Sequence, residues 1–184
     1  MILLVGVCFV GPALAAGPAP AQPTSGSGAR VYEKEYGSWT YRCDTLATGG
    51  LQTAQCQIFQ NMGVKNKNQT IPISLLIFTK AVGQANYNVS AIVPLGILLA
   101  SGVSISADDM PPAVKTIDFC RINGCMVSGQ PAAGLVEELQ HGRNGHLVFV
   151  RGDGRPFTVS FSLDGFSEAV AALNSGDLPP EVKQ

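Results

Sequence analysis

The clearest pattern in the chain is an alternation of apolar and polar residues with a period of two. It runs from Phe157 to Leu163, where every second residue is apolar and the intervening residues are threonine or serine. A shorter stretch from Trp39 to Cys43 shows the same alternation. Because successive side chains of a strand point to opposite faces, both stretches predict strands with one buried face.

A second strand is predicted to pair with the Trp39–Cys43 strand across the Gly49-Gly50 turn. In this segment Cys56, Ile58 and Met62 alternate with Gln57 and Gln60, which assigns both glutamines to the polar face. The polar stretch 62–70 that follows is predicted to be a loop. Further strands are predicted at Ile71–Phe78, Asn86–Val93, Val103–Ala107, Val114–Arg121, Met126–Gly129 and His146–Val150.

Two short helices complete the predicted elements. Gly134–Gln140 carries apolar residues on one side and glutamates on the other, which is typical of a helix that covers a core. Ser167 is predicted to cap a final helix over Glu168–Leu173, and Gly176 is predicted to end it. Many short strands with few helices predict a mainly β fold, an antiparallel β-sandwich of immunoglobulin-like or jelly-roll-like type.

One strongly apolar segment, Val93–Ile105, is interrupted by proline and glycine and does not follow a strand pattern. We predict a loop that crosses the edge of the core and is buried there. The alternative is a docking surface for a protein partner. Its candidate residues are Leu95, Ile97, Leu98 and Leu99.

The first residues form an apolar run that ends in Ala-Leu-Ala, which is typical of a signal-peptidase site. The run is too short to cross a bilayer, so we expect no transmembrane segment after cleavage. We predict a signal peptide over residues 1–16 and a flexible linker, rich in proline, alanine, glycine and serine, over 17–30. A single domain is expected over 31–176 and a disordered tail over 177–184.

Four cysteines remain after removal of the signal peptide, and an even number in an exported chain predicts disulfides. Three pairings are possible. We predict Cys43–Cys56 and Cys120–Cys125, because the members of each pair lie close in sequence and on neighbouring strands. A metal site and a redox pair are the alternatives, but Cys120 and Cys125 lack the spacing of a redox Cys-x-x-Cys motif.

The composition limits the classes of partner that the chain is expected to bind. The chain is 46% hydrophobic and only 14% charged, with a formal net charge of −1. Proteins that bind nucleic acid are usually strongly basic, so we expect no nucleic-acid partner. The sequence leaves the oligomeric state open.

Candidate catalytic chemistry is sparse. Glu137 and His141 lie four residues apart on the predicted first helix, a spacing that can hold a metal, but no second motif supplies further ligands. His146 begins a strand without a neighbouring nucleophile, and Asp108-Asp109 is predicted to form a solvated turn. We therefore predict no catalytic residues, no metal and no cofactor.

Five segments in order resemble the invasion-associated locus B family of bacterial envelope proteins. They are Gly37–Asp44, Cys56–Gln60, Val93–Ile105, Phe119–Cys120 with Gly124–Cys125, and Gly165–Phe166–Ser167 with the helix that follows. The resemblance covers roughly residues 36–174. Ala100-Ser101 departs from it, because a Pro-Ala pair is expected there, and the first residues lack the usual basic side chains.

The resemblance implies an exported β-sandwich, linked in some relatives to host-cell invasion. It implies a periplasmic, outer-membrane-associated or surface location and an unidentified protein partner in the envelope or on a host cell. The leading hypothesis is a non-enzymatic binding protein. The alternatives are an envelope-maintenance or chaperone-like factor, and a hydrolase or metal enzyme that uses His141 or His146.

Overall fold

The computed structural model describes residues 30–48, 51–66, 69–81 and 84–176. The predicted signal peptide, the tail and all of the predicted linker except Arg30 lie outside the described residues. Within the described part, two antiparallel sheets and two helices form the fold. They confirm the predicted mainly β sandwich.

The larger sheet has seven strands, which are numbered along the chain. Their order across the sheet is β1 (Arg30–Tyr36), β2 (Trp39–Thr48), β3 (Leu51–Asn66), β4 (Gln69–Lys80), β5 (Tyr87–Val93), β9 (Gly124–Gly129) and β8 (Phe119–Arg121). The first five strands therefore form a meander in which each strand pairs with its neighbour in sequence. The strand β1 was not predicted, and Arg30, which we expected to end the linker, is its first residue.

The smaller sheet has four strands. Their order is β11 (Pro156–Ser162), β10 (Asn144–Val150), β6 (Val103–Ala107) and β7 (Ala113–Lys115). The helix α1 (Leu135–His141) lies between β9 and β10 in sequence, and α2 (Phe166–Ser175) follows β11. A short 3-10 helix (Leu99–Ser101) precedes β6.

The core lies between the larger sheet on one side and the smaller sheet with α2 on the other. Trp39 is fully buried, and its ring centroid lies 4.7 Å from that of Phe166 in α2 and 6.1 Å from that of Phe161 in β11. The Trp39 Nε1–H donates to the Ser162 carbonyl at 2.9 Å, which satisfies the one polar group of the buried indole. The predicted buried face of β2 is thus confirmed.

Gln60 does not face solvent as predicted. It is 8% exposed and lies on the same face of β3 as Ile58. Its Nε2 donates to the carbonyls of Ser38 and Ser162, and its Oε1 accepts the Ser162 N–H at 3.1 Å. A buried amide is tolerated here because each of its groups has a backbone partner on the facing layer.

The predicted loop over residues 62–70 is also wrong. The strand β3 continues to Asn66 and β4 begins at Gln69, with Lys65 opposite Thr70. These ends pair only with each other, because β2 pairs with β3 no further than Phe59 and β5 pairs with β4 only from Leu75. Beyond the body of the sheet no core selects apolar residues, so the sequence there carries no alternation.

Two further predictions need correction. Val114–Arg121 is not one strand, because β7 belongs to the smaller sheet and β8 to the larger one. Ser167 does not cap α2. The helix begins at Phe166 after Gly165, whose φ of 79° is left-handed, and the Ser167 hydroxyl donates to the Gln140 carbonyl at the end of α1.

Candidate functional site

The apolar loop between β5 and β6 joins the larger sheet to the smaller one. Its backbone is fixed to the end of β10: the Leu98 N–H donates to the Val150 carbonyl at 2.8 Å, and the Gly152 N–H donates to the Gly96 carbonyl at 2.7 Å. Ile97 also forms an isolated antiparallel bridge with Arg151. The loop is therefore held in one conformation by hydrogen bonds of its main chain.

The leucine side chains of this loop are not buried as predicted. Leu95, Leu98 and Leu99 are 53%, 40% and 57% exposed, whereas Ile97 is half-buried and packs against the core. Gly96, which precedes Ile97, has a left-handed φ of 80°, a conformation that glycine adopts at no steric cost. We call the three exposed side chains the leucine surface.

The 3-10 helix presents the last of these leucines. The Gly102 N–H donates to the Leu99 carbonyl at 3.1 Å, which closes the turn directly before β6. Ala100 and Ser101, where the resemblance leads us to expect a Pro-Ala pair, lie in this turn. The turn forms without proline because hydrogen bonds at both ends define it.

Two further apolar side chains, outside the loop, are exposed. Val114 of β7 is 64% exposed, and a Cβ placed on Gly102 would lie 3.2 Å from its Cγ1. Ile122, in the turn before β9, is 91% exposed. Exposed apolar area therefore extends beyond the leucine surface.

A small cavity opens beside Leu95, the first residue of the leucine surface. Its volume is about 160 Å³, close to that of a cavity that holds one small aromatic ring. The stacked rings of Phe149 and Phe157, 5.4 Å apart, form part of its wall. Arg151 stands at this cavity and pairs with Asp153. The lining is suited to an apolar side chain rather than to a reacting polar group.

Both predicted disulfides are present. Cys43–Cys56 joins opposed residues of β2 and β3, and both cysteines are buried. Cys120–Cys125 joins opposed residues of β8 and β9 at the edge of the larger sheet, where Cys120 is exposed. Each bond locks the register of one strand pair.

A family model described as "Invasion associated locus B (IalB) protein" matches residues 39–174. This range contains both disulfides and the leucine surface. The chain belongs to the invasion-associated locus B family.

Known relatives support this assignment. The chain is 25% identical over 172 residues to the invasion protein B homologues of two strains of Brucella abortus, 2308 and biovar 1 strain 9-941, and the match covers 93% of this chain and 95% of each relative. The crystal structure of invasion associated protein B from Bartonella henselae has a TM-score of 0.62 and 21% identity, and the match covers 78% of this chain and 96% of that one. At this identity the second likeness shows the fold alone.

The histidines of this locus B protein do not meet in a catalytic arrangement. His141 Nδ1 lies 2.7 Å from the Glu137 carbonyl oxygen, so the two residues meet through the backbone and not through the carboxylate. His146 Nδ1 lies 3.4 Å from the hydroxyl oxygen of Ser160 on the neighbouring strand. The first contact lies at the end of a helix, and the second joins two paired strands.

Asp108 and Asp109 lie in a turn between β6 and β7, as predicted. The Asp108 carboxylate accepts the backbone N–H groups of Arg143 and Asn144, each at 3.0 Å. These two hydrogen bonds hold the pKa of Asp108 below its ordinary value. Asp108 has a φ of 43°, a left-handed conformation that aspartate adopts more readily than most residues.

The sequence did not reveal that this turn meets α1. Side chains of both elements surround a hollow of about 640 Å³. Its lining includes Asp108, Asp109, Glu137, Glu138 and His141. Among the described residues, no three such side chains are placed to hold a metal ion. No described helix is long and apolar enough to cross a membrane.

Proposed function

We propose that this locus B protein is an exported, non-enzymatic envelope protein that binds a protein partner through the leucine surface. One observation carries the proposal: Leu95, Leu98 and Leu99 are 53%, 40% and 57% exposed on a loop whose backbone is hydrogen-bonded to β10. Apolar side chains grouped on a surface are characteristic of sites where another molecule docks.

The rigidity of the loop favours binding. A flexible loop loses conformational entropy when a partner orders it, whereas a loop that is already ordered loses little. Complete burial of a leucine contributes about 2 kcal/mol. Three leucines that are roughly half exposed therefore offer about 3 kcal/mol to a partner that covers them. The cavity beside Leu95 adds a recess for one apolar side chain of the partner.

The disulfides support export. Both pairs of cysteines are oxidised and both are local, and structural disulfides persist in the periplasm and outside the cell. The relatives are named invasion proteins. We extend this to a role in contact with a host cell, with the leucine surface as the part that makes contact.

Catalysis is not part of the proposal. Two of the titratable side chains considered from the sequence have structural partners. His141 lies against the end of α1, and the Asp108 carboxylate accepts the backbone N–H groups of Arg143 and Asn144.

The test combines charge substitution with site-specific cross-linking. A photo-reactive amino acid at Leu95 should form a discrete cross-linked product in living cells, and Leu98→Asp and Leu99→Asp should each abolish that product. Both side chains point to solvent, so we expect the unfolding midpoints of the two variants to stay close to that of the parent protein.

A matched control uses Val31 of β1. This side chain is 56% exposed, so Val31→Asp places the same charge on an equally exposed apolar position outside the loop. The Leu95 product should survive this change. An unchanged product in the Leu98→Asp and Leu99→Asp variants would refute the proposal, and unfolding of these variants would show that the loop belongs to the core.

A further inference from the structure

The outer face of the larger sheet, which is turned away from the smaller sheet, carries an apolar row. Leu75 of β4 lies opposite Ile92 of β5, Ile92 lies opposite Met126 of β9, and Met126 lies opposite Phe119 of β8. We call these four side chains the outer row. With neighbouring strands about 4.8 Å apart, the row extends about 14 Å across the sheet.

The register shows that the outer row points away from the core. Leu76, Val93 and Cys125, the neighbours of its members along the strands, are buried on the inner face. Phe119 is 45% exposed, while the other three members are partly exposed and pack beside one another on the sheet. Phe59 and Ile77, opposed on β3 and β4, add a second apolar pair next to the row.

An outer face of this kind is unusual. Strands of a sandwich normally alternate between apolar residues that face the core and polar residues that face water. The part of this face formed by β1 and β2 follows that rule, because Arg42 pairs with Glu33 and Asp44 there. The apolar part is confined to the strands from β3 to β8, and among the described elements the sandwich offers nothing to cover it.

Two opposite charges flank the exposed end of the outer row. Asp118 precedes Phe119, and its carboxylate accepts a hydrogen bond from Ser128 on the outer face at 2.7 Å. Arg121 follows Phe119 by two residues, and its guanidinium lies 5.1 Å from the centroid of the Phe119 ring. The negative charge therefore lies on one side of the row and the positive charge on the other.

This arrangement is complementary to itself. A two-fold axis along the outer row would place the row of one copy on the row of the next. The same rotation exchanges the two sides of the row, so that Arg121 of each copy would face Asp118 of the other. Two-fold pairing is the commonest form of self-association, and it requires a surface that is complementary to itself.

We propose that a second copy of this chain packs on the outer face, with the outer row on the two-fold axis. The formal net charge of −1 leaves little repulsion between two copies. The five strands from β3 to β8 span about 19 Å, and five residues along a strand span about 17 Å, so the apolar part of the face offers roughly 300 Å². A standard interface buries about 800 Å² on each partner, so the dimer should be weak.

The experiment is sedimentation of the purified full-length chain over a concentration range from roughly 1 μM to 1 mM. We expect a monomer–dimer equilibrium. Arg121→Glu should raise the dimer Kd about tenfold, because the two-fold repeats the charge pair and the substitution turns both attractions into repulsions. Asp118→Arg should have the same effect, and the double variant Asp118→Arg/Arg121→Glu should restore the parental Kd.

The restoration separates a direct contact from damage to the fold, because a folding defect would accumulate in the double variant instead of disappearing. Val114→Asp, a change at an exposed apolar side chain of the smaller sheet, should leave the Kd unchanged. Leu98→Asp should also leave the dimer Kd unchanged, and this result would distinguish the dimer interface from the leucine surface. A chain that stays monomeric up to roughly 1 mM, or a dimer that is insensitive to both charge reversals, would overturn the proposal.

Discussion

Gln60 shows how much one residue can contribute to joining two layers. Its amide, on β3 of the larger sheet, makes three hydrogen bonds to backbone groups of Ser38, in the turn between β1 and β2, and of Ser162, at the end of β11 in the smaller sheet. Strict alternation along β3 places Gln60 on the face of Cys56 and Ile58, and our prediction placed it on the polar face because glutamine is rarely buried. Its backbone partners explain why an amide is accommodated on the buried face.

We predict that Gln60→Leu lowers the free energy of unfolding by about 2–3 kcal/mol. Leucine fills a similar volume, but it removes all three hydrogen bonds of the amide and leaves the Ser162 N–H without its side-chain acceptor. Urea denaturation measures the loss. Gln57→Leu is the control, since Gln57 lies on the outer face of the same strand, and a change within about 0.5 kcal/mol is expected there. Equal losses in the two variants would contradict this role of Gln60.

Asp108 provides a prediction about pH. Its folded-state pKa is lowered by the N–H groups of Arg143 and Asn144 from an ordinary value of 3.8. A lowered pKa contributes stability that is present above the ordinary value and is lost as the pH falls through the folded-state value. Asp108→Asn should therefore lower the unfolding midpoint at about pH 7, and the difference from the parent should shrink below about pH 3.

Asparagine also tolerates the left-handed backbone at position 108, so this comparison isolates the charge. Asp109→Asn is the neighbouring control in the same turn. A difference between the parent and Asp108→Asn that stays constant from about pH 7 to about pH 3 would assign the effect to shape instead of ionisation.

At the scale of elements, the two disulfides differ in what they enclose. Cys43–Cys56 joins residues with a sequence separation of 13 and is buried between β2 and β3. Cys120–Cys125 joins residues with a sequence separation of 5 at the edge of the sheet. In the chain-entropy model the longer loop stabilises the fold by about 3 kcal/mol and the shorter one by about 2 kcal/mol.

We predict that replacing Cys43 and Cys56 together by serine destabilises the protein more than replacing Cys120 and Cys125. The first change also places two hydroxyls in the core, so its cost should exceed the entropic difference. Thermal unfolding of the two double variants under oxidising conditions measures this. A larger loss for the Cys120 and Cys125 variant would contradict the expected order.

The elements that sequence analysis recovered are those with one face on the core. The residues of β2 and β11 reveal their strands because burial selects apolar side chains at every second position, whereas β4 was recognised as a continuous apolar run of strand length. The ends of β3 and β4 have no such selection, since they pair outside the body of the sheet. The start of α2 was misplaced because Gly165, and not a hydroxyl side chain, provides the cap.

The candidate site was predictable in composition and not in exposure. Leu95, Leu98 and Leu99 drew attention as an apolar run broken by glycine and proline. Their exposure depends on where the end of β10 anchors the loop, and residues more than forty positions away decide that. The outer row could not be predicted from the sequence for a similar reason, because four strands that are separated in sequence contribute one side chain each.

For the whole molecule, the first question is which side of the outer membrane it occupies. We predict that protease added to intact cells digests the protein while a known periplasmic control survives, as a partner-binding role at a host surface requires. Protection until the outer membrane is opened would contradict a surface role and would favour envelope maintenance.

The meander of the larger sheet has a consequence for how the chain acquires its structure. The strands from β1 to β5 pair in the order in which they are synthesised, and each pairing closes only a short loop. The segments that cover their inner face, β10, β11 and α2, come last. Because the chain is synthesised from its N-terminus, it can complete these five strands while Trp39 and Phe78 still face water. During that interval the incomplete sheet would be prone to aggregate, so β10, β11 and α2 govern how safely the protein matures.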